Sequence, residues 1–275
     1  HIACLALELG PGDIVWTSPI SFVASANCAI NCGAQVEFVD VNPLTYNLSI
    51  DDLEEKLILA RKENKIPKII IPVHLAGQSC EMEQIHKLSI EYGFKIIEDA
   101  SHAVGAKYKN FNVGSCEFSD ITVFSFHPVK IITTGEGGMV LTNNNNLANK
   151  ISMLINNGIT KKQDNFKNSP DGEWYYEQQE IGFNYRLNDI QAALGCSQIS
   201  RLDANIKVRD KIAKKYDNDL KNLPLKTPIC ISDCITSHHL YIIRILENAA
   251  MSHADVFKRL RNNGIGVNLH YIPIY

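Results

Sequence analysis

The stretch SFHPVKIITTGEGG, residues 125–138, sets a lysine, Lys130, inside an otherwise apolar run, behind a His-Pro pair and ahead of a glycine-rich turn. Lysine is costly to desolvate. In a dry pocket it loses part of its preference for the charged form and becomes an amine nucleophile toward a carbonyl. Asp99 closes the apolar run FKIIED (94–99), and an aspartate is what a pyridinium nitrogen needs as partner. Ser125, Phe126 and His127 end the run ITVFSF, His74 ends KIIIPVHL, and Ser18 and Phe22 lie around the end of DIVWTS. Each has a plainer role when taken alone. Asp99 can cap the turn that follows it, Lys130 can snorkel to water, His74 can be a satisfied histidine, and Phe22 can be core. Together they suit Schiff-base chemistry between an amine and a carbonyl.

Other chemistries find no support. No GxGxxG or GxxxxGK[S/T] stretch is present for a dinucleotide or Walker-type site, no HExxH for a metal, and no GxSxG elbow for a hydrolase. The net charge of −3 with no basic stripe argues against a nucleic-acid partner. No apolar run reaches transmembrane length, so a cytoplasmic, non-membrane protein is expected. The 8 cysteines include no CxxC pair. They read as small buried hydrophobes in a reducing compartment rather than metal ligands or disulfides. Cys28/Cys32 and Cys230/Cys234 are each spaced to share one helix face.

The elements that must position these residues alternate along the chain. Strand-like runs at 13–18, 35–41, 68–75, 94–99, 121–126 and 138–142 are separated by helical patterns at 21–33, 51–64 and 81–92. Ser21 is the expected N-cap of the first of these helices. Doubly apolar strands between amphipathic helices predict an α/β fold, a mainly parallel sheet covered on both faces. Such sheets bind ligands beyond the carboxyl ends of their strands, which is where the candidate residues lie. Residues 161–180 read as a functional or mobile loop. A long helical stretch runs from Asn188 to about Asn222 with one break, and 238–246, 252–264 and 265–271 read as strand, helix, strand. The chain opens at His1 on what reads as the second half of a helix reaching Leu9, and it ends on HYIPIY. It is therefore expected to be an internal piece of a longer protein.

The blocks TSPISFVASANC (17–28), EDASHAVGA (98–106), FSFHPVKIITTGEGG (124–138) and IGFNYRLNDIQAALG (181–195) resemble the DegT/DnrJ/EryC1/StrS sugar aminotransferases. The resemblance spans almost the whole chain. It implies the three-layer α/β/α large domain of type I pyridoxal-phosphate transferases over residues 1–200. A bridging helix and the start of a smaller α+β C-terminal domain would occupy 201–275. It also implies pyridoxal 5'-phosphate as cofactor. Lys130 matches the lysine bonded to the cofactor, Asp99 the acid on its ring nitrogen, and Phe22 the aromatic stacked on its ring. His102 would pack near the ring's other polar edge, and Ser125 would touch the phosphate. Asn184 would reach the phosphate in the partner subunit's site, which implies a homodimer. Tyr185, Arg186, His270 and Tyr271 would face a nucleotide-sugar.

Within the family, SFHPVKIITTGEGG and the ending HYIPIY are most similar to members that act in pseudaminic acid biosynthesis. Those members aminate C4 of a UDP-linked 4-keto-6-deoxy-2-acetamido sugar, with glutamate as donor. Some relatives carry histidine in place of the lysine and act as dehydratases, so Lys130 favours amino transfer. The family's phosphate-cradling turn would lie before His1, so this stretch alone is expected to bind cofactor weakly and to be inactive. Two rivals stay open: a sibling enzyme using another nucleotide keto-sugar, and a cofactor-binding regulatory protein that catalyses nothing.

Overall fold

A six-stranded sheet organises the computed structural model, which describes residues 1–275. In chain order the elements begin with α1 (Ile2–Ala6), β1 (Ile14–Thr17), α2 (Ala24–Ile30), β2 (Gln35–Phe38), α3 (Ile50–Glu63), β3 (Ile69–Ile71), α4 (Met82–Tyr92) and β4 (Lys95–Asp99). There follow β5 (Lys107–Tyr108), β6 (Phe111–Asn112), β7 (Ile121–Ser125), β8 (Gly138–Leu141), α5 (Asn145–Leu154), β9 (Ile159–Thr160) and β10 (Glu177–Gln178). The last elements are α6 (Asp189–Ile199), α7 (Leu202–Leu220), β11 (Leu225–Lys226), β12 (Cys234–Ile235), β13 (Arg244–Ile245) and α8 (His253–Asn262). In the sheet, of order β2-β1-β3-β4-β7-β8, the first five strands run parallel and β8 closes the edge antiparallel to β7.

Successive strand residues enter opposite cores, as the pleat requires. Val15, Ile69, Ile71, Ile97 and Ile121 pack with α1, Ala29 of α2, and Ile151 and Leu154 of α5. Trp16, Ile70 and Ile96 pack instead with Leu53 and Leu57 of α3 and Ile85 of α4. The sheet is therefore sandwiched between two helical layers, the α/β/α arrangement. Local signals set the helix ends. Ser49 Oγ accepts the Asp52 N–H at 3.3 Å to start α3, and Gly93, at φ 84°, ends α4 in the left-handed region.

Several expected elements differ. The opening helix ends at Ala6 rather than Leu9, and Glu8 turns into the left-handed region at φ 61°. Ser21 does not cap α2, whose N-cap is Val23; its hydroxyl pairs with Ser25 Oγ at 2.7 Å. Cys230 and Cys234 share no helix, because Cys234 sits on β12, paired with Tyr108 of β5. All eight thiols are free. The stretch 238–246 forms only the two residues of β13, bonded to β11, and 265–271 forms no strand. An extended segment becomes a strand only beside a neighbour, and Ile265 and Leu269 stay about half exposed. Segment 161–180 closes on itself through the pairing of β9 with β10. No helix is long and apolar enough to cross a membrane.

One buried network fixes the strand end that matters. Glu98 is 5% exposed. Its carboxylate accepts from His74 Nε2 at 2.7 Å, from Thr122 Oγ1 at 2.8 Å and from the Ser119 hydroxyl. His74 accepts the Cys80 N–H on Nδ1 at 3.1 Å, so its proton sits on Nε2, aimed at Glu98. Burial opposes the charge of Glu98. The hydrogen bonds from His74, Ser119 and Thr122 outweigh it and hold the carboxyl below its ordinary 4.5. The stabilisation this provides is complete above that value and fades as pH falls below it toward the folded value. Glu98→Ala should cost roughly 3 kcal/mol at neutral pH, since it strands the buried donors of His74 and Thr122. Denaturant unfolding checks this, with the gap to wild type narrowing below pH 4.5. A gap independent of pH contradicts it.

Candidate active site

Asp99 is the last residue of β4, and its side chain lies at the carboxyl edge of the parallel strands. Its Oδ1 accepts the Ser101 N–H at 3.1 Å, the turn-capping bond common to such aspartates. Its Oδ2 accepts from Ser25 Oγ at 2.6 Å. Because that bond uses the Ser25 proton, the Ser21–Ser25 contact has Ser21 donating, and the two hydroxyls form a short relay onto the carboxylate. Ser25 carries no motif signature beyond standing three residues after Phe22, and sequence reasoning missed it. The relay ties α2 to β4. Phe22, just ahead of α2, is 60% exposed, which leaves the ring face open to a planar ligand.

Lys130 lies in the connection from β7 to β8. Phe126 N–H donates to the Gly137 carbonyl at 2.8 Å, Thr134 N–H to Phe126 at 3.0 Å, and Lys130 N–H to His127 at 2.9 Å. A Cβ on Gly137 would collide with Thr134 Oγ1 and Leu187, so the glycine lets this turn close. Lys130 is half-buried, and its Nζ has no hydrogen-bond partner. Burial pushes its pKa down, against the attraction of the Asp99 charge. Lys130 and Asp99 therefore act on one another.

His102 completes the near wall. It is 5% exposed, accepts the Ala76 N–H on Nδ1 at 3.3 Å, and meets Tyr271 Oη through Nε2 at 3.1 Å. Burial first, then the charges of Lys130 and His270, drive its pKa down to about 3, so the ring is neutral. Tyr271 stacks on His102 at 6.2 Å and lies 6.4 Å from Phe22. Burial and then the Asp99 charge raise its pKa to about 12. The fold thus gathers Lys130, Asp99, Phe22, His102, His270 and Tyr271. Ser125 ends β7 opposite Gly138, where its Oγ accepts the His127 N–H at 3.4 Å. Asn184, Tyr185 and Arg186 contact none of these residues; they are exposed on a segment bridged to Asn156, where Arg186 Nη1 donates to Asn156 Oδ1 at 3.2 Å. His74, bound to Glu98, is the satisfied buried histidine of the plainer reading.

The model of the DegT/DnrJ/EryC1/StrS aminotransferase family matches residues 1–275. The chain belongs to that family. A UDP-4-amino-4,6-dideoxy-N-acetyl-beta-L-altrosamine transaminase from Campylobacter jejuni is 40% identical over 278 residues, all of this chain and 69% of the relative. A GDP-perosamine synthase from Caulobacter vibrioides is 36% identical over 284 residues, again all of this chain and 71% of the relative. Among solved structures, the Helicobacter pylori PseC aminotransferase superposes with a TM-score of 0.86 at 32% identity, covering 100% of this chain and 72% of that one. The sugar aminotransferase Spr1654 of Streptococcus pneumoniae, solved in its PLP form, superposes at 0.82 with 27% identity over 99% of this chain and 72% of its own.

Pyridoxal phosphate is the cofactor of solved family members, and the donor set here fits it. An unpartnered amine, an anchored carboxylate with lone pairs to spare, and a bare aromatic face are what an aldehyde, a pyridinium and a ring plane require. Removing the Ser25 hydroxyl frees Asp99 to rotate. Ser25→Ala should raise the apparent Kd for pyridoxal phosphate roughly tenfold, the order of a hydrogen bond to a charged group. A spectrophotometric titration reads this, and an unchanged Kd contradicts the anchoring role.

Proposed function

We propose that the enzyme transfers an amino group from glutamate to C4 of a UDP-linked 4-keto-6-deoxy-2-acetamido sugar, the reaction type of pseudaminic acid biosynthesis. The observation that carries the reading is the half-buried Lys130 amine with no partner, set against Asp99 anchored by Ser25. In this reading Lys130, Asp99, Phe22, Ser125 and His102 hold pyridoxal phosphate, and residues 1–200 form the cofactor-binding unit. Residues 201–275 add the bridging helix and the start of a smaller unit.

Bound there, the cofactor supplies an electron sink for the charge left when a substrate carbon loses its proton. The chain's own residues do the rest. Asp99 accepts a hydrogen bond from the ring nitrogen and orients it. Phe22 covers one ring face, and neutral His102 adds a hydrogen-bonding edge without adding positive charge. Lys130, with burial favouring its neutral amine, would take the α-proton of the amino donor and later return a proton to the sugar's C4. Donor and acceptor use the same place in turn, so the kinetics should be ping-pong.

A second copy of the chain fits the exposed side of α6. None of the helix's residues is buried, and Ile190 and Ile181 are 84% and 85% exposed beside Asn184. Apolar exposure on this scale supports a homodimer in which Asn184 reaches the partner's cofactor phosphate. The second reading is a sibling activity on another nucleotide keto-sugar, favoured by the similarity to the GDP-perosamine synthase.

The experiment is a panel of UDP-, dTDP- and GDP-linked 4-keto sugars with 15N-glutamate, run beside Lys130→Ala. The reading expects label at C4 of the UDP-linked acetamido sugar and turnover reduced at least a thousandfold in the variant, as losing a general acid–base group that is also the covalent anchor implies. Near-normal turnover by Lys130→Ala sinks the site assignment. Preference for a dTDP- or GDP-sugar sinks the substrate assignment alone.

A further inference from the structure

His239 holds an atom with no partner. The side chain is 9% exposed, and its Nδ1 is sealed from solvent without a hydrogen bond. Its ring packs 4.5 Å from that of His102, inside the wall of the proposed site. The segment that carries it is built with care. Ser237 N–H donates to the Gly77 carbonyl at 3.0 Å, Ser237 Oγ to the His102 carbonyl at 2.9 Å, and Leu240 N–H to Ala76 at 3.2 Å. Arg209 Nη1 donates to the carbonyls of both His238 and His239, at 3.0 and 3.2 Å. Gly77, at φ 104°, admits this strap, since a Cβ there would collide with Ser237 Oγ.

The proton on His239 can be placed. Burial is the leading cause, and the neighbouring His102 ring and the cations Lys130 and Arg209 add to it; together they push its pKa down to about 3, so it is neutral. A proton on Nδ1 would be a sealed donor with no acceptor. A proton on Nε2, the nitrogen that is not sealed, leaves only a lone pair unpaired, which costs less. Nε2–H therefore points to accessible space. A leucine would fill the same volume with no unpaired polar atom, so the site retains a polar cost that a bound ligand explains.

We propose that His239 is a substrate-binding residue of this site, whose Nε2–H donates to the carboxylate of the amino donor. The inference rests on the aminotransferase reading above. A carboxylate suits the position because the charged side chains acting on it, Lys130 and Arg209, are cations, while Asp99 is engaged with the cofactor.

The test compares His239→Leu, His239→Asn and His239→Gln in the holoenzyme, measuring the glutamate half-reaction from the cofactor absorbance and the steady-state constants for both substrates. Gln can place an N–H near Nε2, whereas Asn and Leu cannot. Leu and Asn should raise KM for glutamate about tenfold or more, with cofactor absorbance and sugar KM held, and Gln should stay within about threefold of wild type. If Leu does not fold, the Asn and Gln pair decides. The proposal is overturned if Asn and Gln behave alike, if only the sugar KM moves, or if cofactor binding is lost in parallel. Absence of any glutamate-driven spectral change in the wild type would instead overturn the aminotransferase reading.

Discussion

An amine and a carboxylate drawn out of water at the same sheet edge are the constraint on which the molecule turns. Lys130 loses solvation by burial and regains part of the cost from Asp99. Neither position would hold without its support. Asp99 is fixed by hydroxyl and backbone donors from two elements, α2 and the turn after β4. Lys130 is presented by a glycine-closed connection whose hydrogen bonds leave its side chain nothing else to bind. Beneath them, Glu98 draws β3, β4 and β7 together through His74 and Thr122. Two neighbours on one strand thus divide the labour. Glu98 points into the core and sets the strand ends, and Asp99 lies at the carboxyl edge and acts on Lys130.

The sheet was legible because its signal is local and repeated. Apolar residues on both faces of each strand, separated by amphipathic helices, leave a covered parallel sheet as the compatible packing. The edge strand's antiparallel sense was not legible, since GMVLT reads alike in either direction. Segment 238–246 shows the opposite failure. HHLYIIRIL has the composition of a buried strand, yet Ser237 just before it is bonded to Gly77 and Leu240 within it to Ala76, and only Arg244 and Ile245 pair as strand. Cys230 and Cys234 had helical spacing without helical context.

The candidate site was legible as a set rather than residue by residue. Lys130, Asp99, Phe22, His102, His270 and Tyr271 do meet, while Asn184, Tyr185 and Arg186 make no contact with them and are exposed. Ser25 and His239 escaped because their roles are long-range. Ser25 looks like any helical serine until Asp99, 74 residues on, accepts its proton. His239 looks like a strand histidine until its unpaired nitrogen is found against His102.

Its unpartnered amine makes Lys130 the expected covalent anchor of the cofactor. Borohydride reduction of the pyridoxal-phosphate-loaded enzyme, followed by peptide mass spectrometry, tests it most directly. A phosphopyridoxyl mass on Lys130 alone is expected, absent when glutamate is added before the reductant. The same mass on another lysine, or none on Lys130 while the cofactor remains bound, would contradict it.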